Sequence, residues 1–120
     1  MSHITLLGLP DDLARQLASV LRAEAHQVTR RKYLQDLQRG PRAVVVFISG
    51  DTPDFRNNIT LLHEAEPDLP VVVVTRLPGA SQWLDALDSG AADYCGAPFE
   101  RVQVRWILQS VLPAKRRAAA

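Results

Sequence analysis

Ala43-Val44-Val45-Val46-Phe47-Ile48 is an unbroken apolar run in the middle of a chain of 120 residues. Its β-branched residues favour a strand, and its lack of alternation means that both faces of that strand are covered. A parallel sheet with helices on both sides provides that environment. Val71-Val72-Val73-Val74-Thr75 repeats the pattern behind Pro67 and Pro70. Ile4-Thr5-Leu6-Leu7-Gly8-Leu9, stopping at Pro10, reads as another buried strand.

Outward from these runs the chain alternates between strand and helix. Asp11 opens a helical pattern carried by Leu13, Leu17, Val20 and Leu21, with Asp11 and Asp12 suited to its positive end. A short strand follows at Gln27-Val28-Thr29, and a brief helix over residues 33–38 stops at Gly40. Thr52 is a cap and Pro53 a first helical residue for a helix striped by Phe55, Ile59 and Leu62. A helix over residues 81–89 ends at Gly90, a weak fifth strand covers residues 92–95, and a last helix covers 100–112. Residues 1–113 therefore read as one domain, and 114–120, with Lys115-Arg116-Arg117, as a tail or the start of a linker. Five strands alternating with five helices predict an α/β fold, a doubly wound five-stranded parallel sheet. Function in such sheets gathers at the carboxyl ends of the strands.

Composition narrows the chemistry. Fourteen Lys and Arg against thirteen Asp and Glu leave a net charge of +1, which gives no general pull towards nucleic acid or a membrane surface. Cys95 is the sole cysteine, which excludes an internal disulfide and a cysteine metal cage; it reads as a buried thiol. His3, His26 and His63 fall on separate elements without metal-ligand spacing and read as solvent-facing. Gly8-Leu9-Pro10-Asp11-Asp12 has one glycine, a proline without an N–H and two carboxylates, the wrong chemistry for a phosphate loop. No apolar run approaches the roughly 20 residues of a membrane span, and no secretory signal opens the chain. The expectation is a cytoplasmic domain without cofactor or metal.

Glu66-Pro67-Asp68-Leu69-Pro70 leading into Val71-Val72-Val73-Val74-Thr75, then Ala86-Leu87-Asp88-Ser89-Gly90-Ala91-Ala92-Asp93-Tyr94, then Pro98-Phe99, mark three consecutive strand ends and their turns. By the order and spacing of these residues, positions 4–112 resemble the receiver domain of two-component response regulators. The resemblance implies a flavodoxin-like sheet in strand order 2-1-3-4-5 and a cis bond between Ala97 and Pro98. It also implies phosphoryl transfer from a histidine kinase to an aspartate ending the third strand. That chemistry uses an acidic pair holding Mg²⁺, a lysine after the fifth strand and a hydroxyl ending the fourth.

Aligned without gaps, the chain keeps Thr75 as the hydroxyl and loses the other charged parts. Gly8 and Leu9 stand at the acidic pair, Phe47 at the nucleophile and Ala97 at the lysine. The two lysines, Lys32 and Lys115, lie away from the expected strand ends. Leu9, Phe47 and Ala97 are expected to bring apolar surface together in this degenerate phosphorylation pocket. Asp11 and Asp12 read as first-turn helix acids. Asp51 reaches the pocket only if the loop after the third strand folds back.

The expected function is therefore an atypical receiver that is not phosphorylated, is not an enzyme and serves a protein partner or an attached effector in signal transduction and transcription regulation. The resemblance implies a homodimer through the fourth helix, fifth strand and fifth helix, which here carry Trp83, Leu87, Tyr94, Arg101, Arg105 and Trp106. Val104, Leu108 and Val111 define the buried stripe of the last helix, so Trp106 is expected outside it. Arg30-Arg31-Lys32 with Arg39 and Arg42 reads as a solvated basic face, and nucleic acid is expected to be contacted only through an output domain. Two alternatives remain open: a phosphoacceptor using Asp51, and a small-molecule sensor whose cavity is lined by Leu9, Phe47, Thr75 and Ala97.

Overall fold

The structure, a computed structural model, describes residues 2–37, 39–76 and 79–112, without the side chains of residues 80–83. The elements are β1 (His3–Leu7), α1 (Asp11–Ala23), β2 (Gln27–Arg31), a 3-10 turn (Leu34–Asp36), β3 (Val45–Ser49), α2 (Phe55–Ala65), β4 (Val71–Thr75), α3 (Ala80–Asp88), β5 (Asp93–Gly96) and α4 (Arg101–Val111). All strand pairs are parallel, in the order β2-β1-β3-β4-β5. This is the doubly wound five-stranded sheet that the apolar runs predict.

Every residue of β3 and β4 is buried. Successive side chains of a strand point to opposite faces, so each strand feeds two apolar layers. Leu6, Phe47, Val72, Val74 and Cys95 pack with Leu17 and Leu21 of α1 and with Val104 and Leu108 of α4. Leu7, Val46, Ile48 and Val73 pack on the other side with Ile59 and Leu62 of α2 and with Ala86 of α3. β2 is an edge strand with the sequence Gln-Val-Thr-Arg-Arg and no buried residue. Its polar, basic composition discourages pairing with a further strand.

Two of the expected helices differ in the structure. The helix expected over residues 33–38 is the single 3-10 turn Leu34–Asp36, with Gln38 outside the described residues. Six residues pay the nucleation cost of a helix without enough propagation or apolar face to recover it. α2 begins at Phe55, not at Pro53. Residues 51–54 instead form the loop that carries Asp51 towards the end of β4. The expected tail, 114–120, lies outside the described residues.

Two helices end in the same way. After α3, Gly90 (φ +104°) donates to the Leu87 carbonyl and Ala91 to that of Ala86. This is the Schellman arrangement, with glycine at its left-handed position. After α1, Ala25 donates to Arg22 and His26 to Leu21, but the left-handed residue is Ala25 itself, at φ +67°. An L-residue pays about 1–2 kcal/mol in that conformation. Ala25→Gly is therefore expected to stabilise the protein by about 0.5–1 kcal/mol, part of the relief being offset by the greater freedom of glycine in the unfolded chain. Urea denaturation would read this as a higher midpoint at unchanged slope.

Candidate functional site

The strand register fixes how deep each candidate lies. Leu7, Ile48, Val73 and Tyr94 form one row across the sheet. Beyond it Ser49 pairs with Val74, and Thr75 pairs with Gly96. Ser49 is thus the last residue of β3, and its hydroxyl accepts the Asp51 N–H at 3.2 Å. Phe47 lies two residues deeper, about 7 Å below Ser49 at the usual rise per residue. It pairs with Leu6 and Val72 and is 0% exposed. The expectation that Phe47 occupies the rim is corrected: it is a core residue. An apolar run that is buried throughout carries no local mark of where its strand ends.

The other expected pocket residues divide. Gly8 is exposed just past β1, at φ +69°, and donates to the Arg31 carbonyl at 2.8 Å. Leu9 is partly buried against the same cluster that contains Phe47. Ala97 is half-buried and donates to the Thr75 carbonyl at 2.8 Å; its bond to Pro98 is cis. Leu9 and Phe47 therefore share one apolar layer beneath the rim, while Gly8, Ser49, Thr75 and Ala97 stand at the rim itself.

The rim is charged, not apolar. Asp51 folds back over β4, where one carboxylate oxygen accepts the Thr75 hydroxyl and the other accepts the Arg76 N–H at 2.9 Å. The Arg76 guanidinium grips Asp12 with both terminal nitrogens, Nη2 lying 2.5 Å from Oδ1. This bidentate geometry is the strongest form of a carboxylate–guanidinium contact. It holds the Asp12 carboxyl down at about 2, and Asp12 in turn raises the Arg76 pKa, with Asp51 adding to the effect. Gly50 allows the loop to lie so close. Its N–H reaches the Val74 carbonyl at 2.7 Å, and a Cβ there would fall 2.5 Å from Val73 Cγ1. Arg76 thus joins the first turn of α1, the loop after β3 and the end of β4. Sequence reasoning missed it, because Asp12 and Arg76 are separated by 64 positions and no local pattern links them.

The proposed interface residues do not share one face. Arg101 and Arg105 reach Glu24 beside α1, at 2.7 and 2.5 Å. Those two bonds, Arg105 first, pull the Glu24 carboxyl down to about 2. Tyr94 is half-buried against the α2–α3 layer, and Leu87 is half-buried on α3. Trp106 is 67% exposed, with Val102 one turn earlier at 48%. The Trp83 side chain lies outside the described residues.

The remaining candidates lose their separate roles. Arg30 pairs with Asp11 at 2.5 Å, Arg39 with Asp36 at 3.6 Å and Arg42 with Glu66 at 3.3 Å, while Arg31 donates to the Arg39 carbonyl. Lys32 directly follows β2, contrary to the expectation that no lysine adjoins a strand end, and its ammonium lies 5.8 Å from the Tyr33 ring centre. β1 separates β2 from β3 in the sheet. The histidines are half-buried, not solvent-facing, and His3 Nε2 lies 2.7 Å from the Thr29 hydroxyl. Cys95 is buried, and burial pushes its thiol up to about 12, so it is not a thiolate. Among the described residues, no group of His, Cys, Asp and Glu could hold a metal, and no helix is long and apolar enough to cross a membrane.

No protein-family model and no curated protein matches the sequence. Solved structures do match. The non-phosphorylated HemR receiver domain of Leptospira biflexa aligns at TM-score 0.73 and 23% identity, over 93% of this chain and 94% of that one. A response regulator receiver domain of Clostridium thermocellum aligns at TM-score 0.81 and 12% identity, over 98% and 99%. NtrX of Brucella abortus aligns at TM-score 0.83 and 18% identity over 98% of this chain, which spans 29% of the NtrX chain. The chain therefore has the receiver-domain fold.

Glu24 supplies a titration test of the α1–α4 clamp. Its folded carboxyl lies at about 2 against an ordinary value of 4.5, so the stabilising contact is present above about 4.5 and is lost as pH falls through about 2. In the double variant Arg101→Gln, Arg105→Gln the Glu24 carboxyl midpoint, followed by ¹³C NMR, is expected to move back towards 4.5. Gly50→Ala is expected to destabilise the fold by about 1–3 kcal/mol, since the added methyl meets the buried Val73 side chain; a lowered urea midpoint would show it.

Proposed function

We propose that this chain is an atypical receiver module of two-component signalling, one that is not phosphorylated and acts by docking on a protein partner or an attached effector. The observation that carries this reading is the engagement of the rim by the chain's own carboxylates: Thr75 donates to Asp51, and Arg76 grips Asp12. Phosphoryl transfer to a carboxylate needs oxygen ligands for Mg²⁺ and a cation facing the incoming phosphoryl oxygens. Gly8 and Leu9 offer no side-chain oxygen, Ala97 offers no cation, and the Asp12 carboxylate is already neutralised by Arg76. The length of the NtrX chain beyond its aligned 29% supports an attached effector as one form of partner.

Docking would use the outward side of α4. Val102 and Trp106 stand exposed there, and tryptophan is among the residue types that dominate interface energetics. Arg101 and Arg105 flank this stripe but belong to the clamp on Glu24, so the proposed homodimer contact narrows to Val102 and Trp106.

A second reading has one observation in its favour. Asp51 lies against Thr75, where an alternative phosphoacceptor would have to be. The sensor reading has less support. One surface cavity of about 640 Å³ lies at the amino ends of β3 and β4, among Arg42, Val44, Glu66 and Pro70, and another of about 350 Å³ lies near His63 and Gly90. Neither is lined by Leu9, Phe47, Thr75 or Ala97.

Backbone NMR with Mg²⁺ and beryllofluoride separates the first two readings. The wild-type Thr75 and Asp51 amides are expected to stay in place; saturable shifts at both would establish Asp51 as a phosphoacceptor instead. The mass in solution of wild type beside Trp106→Ala tests docking on a second copy. A dimer whose dissociation constant rises about tenfold or more in the variant is expected, and a monomer in both would remove self-association from the proposal.

A further inference from the structure

The net charge of +1 conceals a separation of charge. Residues 13–42, which span most of α1, β2 and the 3-10 turn, carry seven cations against Glu24 and Asp36. Residues 43–99, which span β3 to β5 with α2 and α3, carry eight acids against Arg56 and Arg76. Both of those arginines are engaged within the chain, Arg56 by Asp85 at 2.7 Å and Arg76 by Asp12. The sheet order places β2 at one edge and β4 with β5 at the other. One side of the molecule is therefore basic and the opposite side acidic.

Each side also exposes apolar surface among its charges. On the basic side Tyr33 is 54% exposed just after Lys32 and the end of β2. The Arg30–Asp11 pair shows which flank of α1 faces β2. Arg15 and Arg22 lie four and eleven residues after Asp11, hence on that same flank, and both are exposed without an ion pair among the described residues. On the acidic side Leu84 of α3 is 54% exposed and Leu61 of α2 is 37% exposed, and the Arg56–Asp85 bridge ties the two helices together. Asp88 stands one turn after Leu84, and Glu64 nearly one turn after Leu61. Both acids are exposed and without an ion pair among the described residues.

We propose that a second copy of this chain docks head to tail, the basic β2 edge with Tyr33 of one molecule lying on the acidic α2–α3 face of the next. Charge complementarity selects this occupant and this arrangement. Edge on edge, or face on face, would bring like charges together, so the contact joins two different surfaces. The two regions already pair at their border within one molecule, where Arg42 meets Glu66 at 3.3 Å. Tyrosine is among the residue types that dominate interface energetics, and Leu61 and Leu84 offer it apolar surface. The surrounding charges steer and orient the approach more than they bind. Such a contact leaves one edge and one face free, so further copies can add in line. It shares no residue with Val102 and Trp106 and stands apart from docking through α4.

The test uses the full chain with Trp106→Ala, which sets the α4 contact aside, and reads mass by sedimentation velocity against protein concentration. In low salt the mass is expected to rise with concentration past that of two chains. The apparent dissociation constant should be about tenfold higher in high salt, where charges are screened within a few ångströms. Lys32→Gln with Tyr33→Ala alters only the basic edge, and Leu84→Ala with Asp88→Asn alters only the acidic face. Each double variant should be monomeric alone at concentrations where the parent associates. Their equimolar mixture retains one intact edge and one intact face, and should form a complex of two chains and no larger. If either does not fold, Arg15→Gln with Arg22→Gln, or Glu64→Gln with Asp88→Asn, takes its place and is read in the same way. A parent that stays monomeric in low salt, association unaffected by salt, or a mixture that stays monomeric would overturn the proposal. So would undiminished association of either variant alone. Those outcomes leave docking through Trp106 intact, since that is decided on the chain that retains it.

Discussion

β3 and β4 bury all of their side chains, and each aliphatic side chain withdrawn from water contributes about 1.5–3 kcal/mol relative to exposure. Strands of this kind need cover on both faces, which is why α1 and α4 lie on one side and α2 and α3 on the other. Parallel pairing then places each β-to-α loop at the same end of the sheet, because each strand must be re-entered from the same direction. Asp12, Asp51 and Arg76 meet for that reason. They follow β1, β3 and β4, the three central strands of the five, Asp12 in the first turn of α1 and the other two in loops.

The rim and the core do different work. The Asp12–Arg76 pair is about half exposed, its side chains at 47% and 45%, and exposed ion pairs add little to stability. Its effect is on arrangement. A bidentate contact from Arg76 to the first turn of α1 fixes the direction of its side chain, while its backbone N–H is donated to Asp51. Glu24 plays a comparable part at the other end of α1, where two arginines one turn apart hold α4 against it. With one flank of α4 committed to Glu24 and its inner side committed to the core, Val102 and Trp106 are left facing water.

On the proposed reading, the relation between the rim and signalling chemistry is one of substitution. A phosphorylatable rim would keep its hydroxyl and its cation available for an incoming group. Here the hydroxyl of Thr75 and the N–H of Arg76 are turned towards a carboxylate that is already part of the chain. Neutralising charge internally also avoids the cost of crowding like charges at a half-buried site, since Arg76 stands between Asp12 and Asp51.

The amino-acid sequence by itself determined the class of fold. The runs around Val45 and Val72 are apolar without alternation, which requires cover on both faces, and the helical stripes between them supply it. It also placed Gly8 and Ala97, neither of which carries a charge, near strand ends. It misplaced Phe47, because a strand buried from end to end has no periodic signal to mark depth, and only pairing with Leu6 and Val72 set its level in the sheet. It also suggested an apolar rim. The charges that line the rim come from segments far apart in sequence: Asp12, Asp51 and Arg76 have no shared spacing, and their meeting depends on the parallel order of β1, β3 and β4. Local sequence encodes which segments must be buried, whereas the convergence of a helix start and a distant loop on one arginine is a property of the closed tertiary structure.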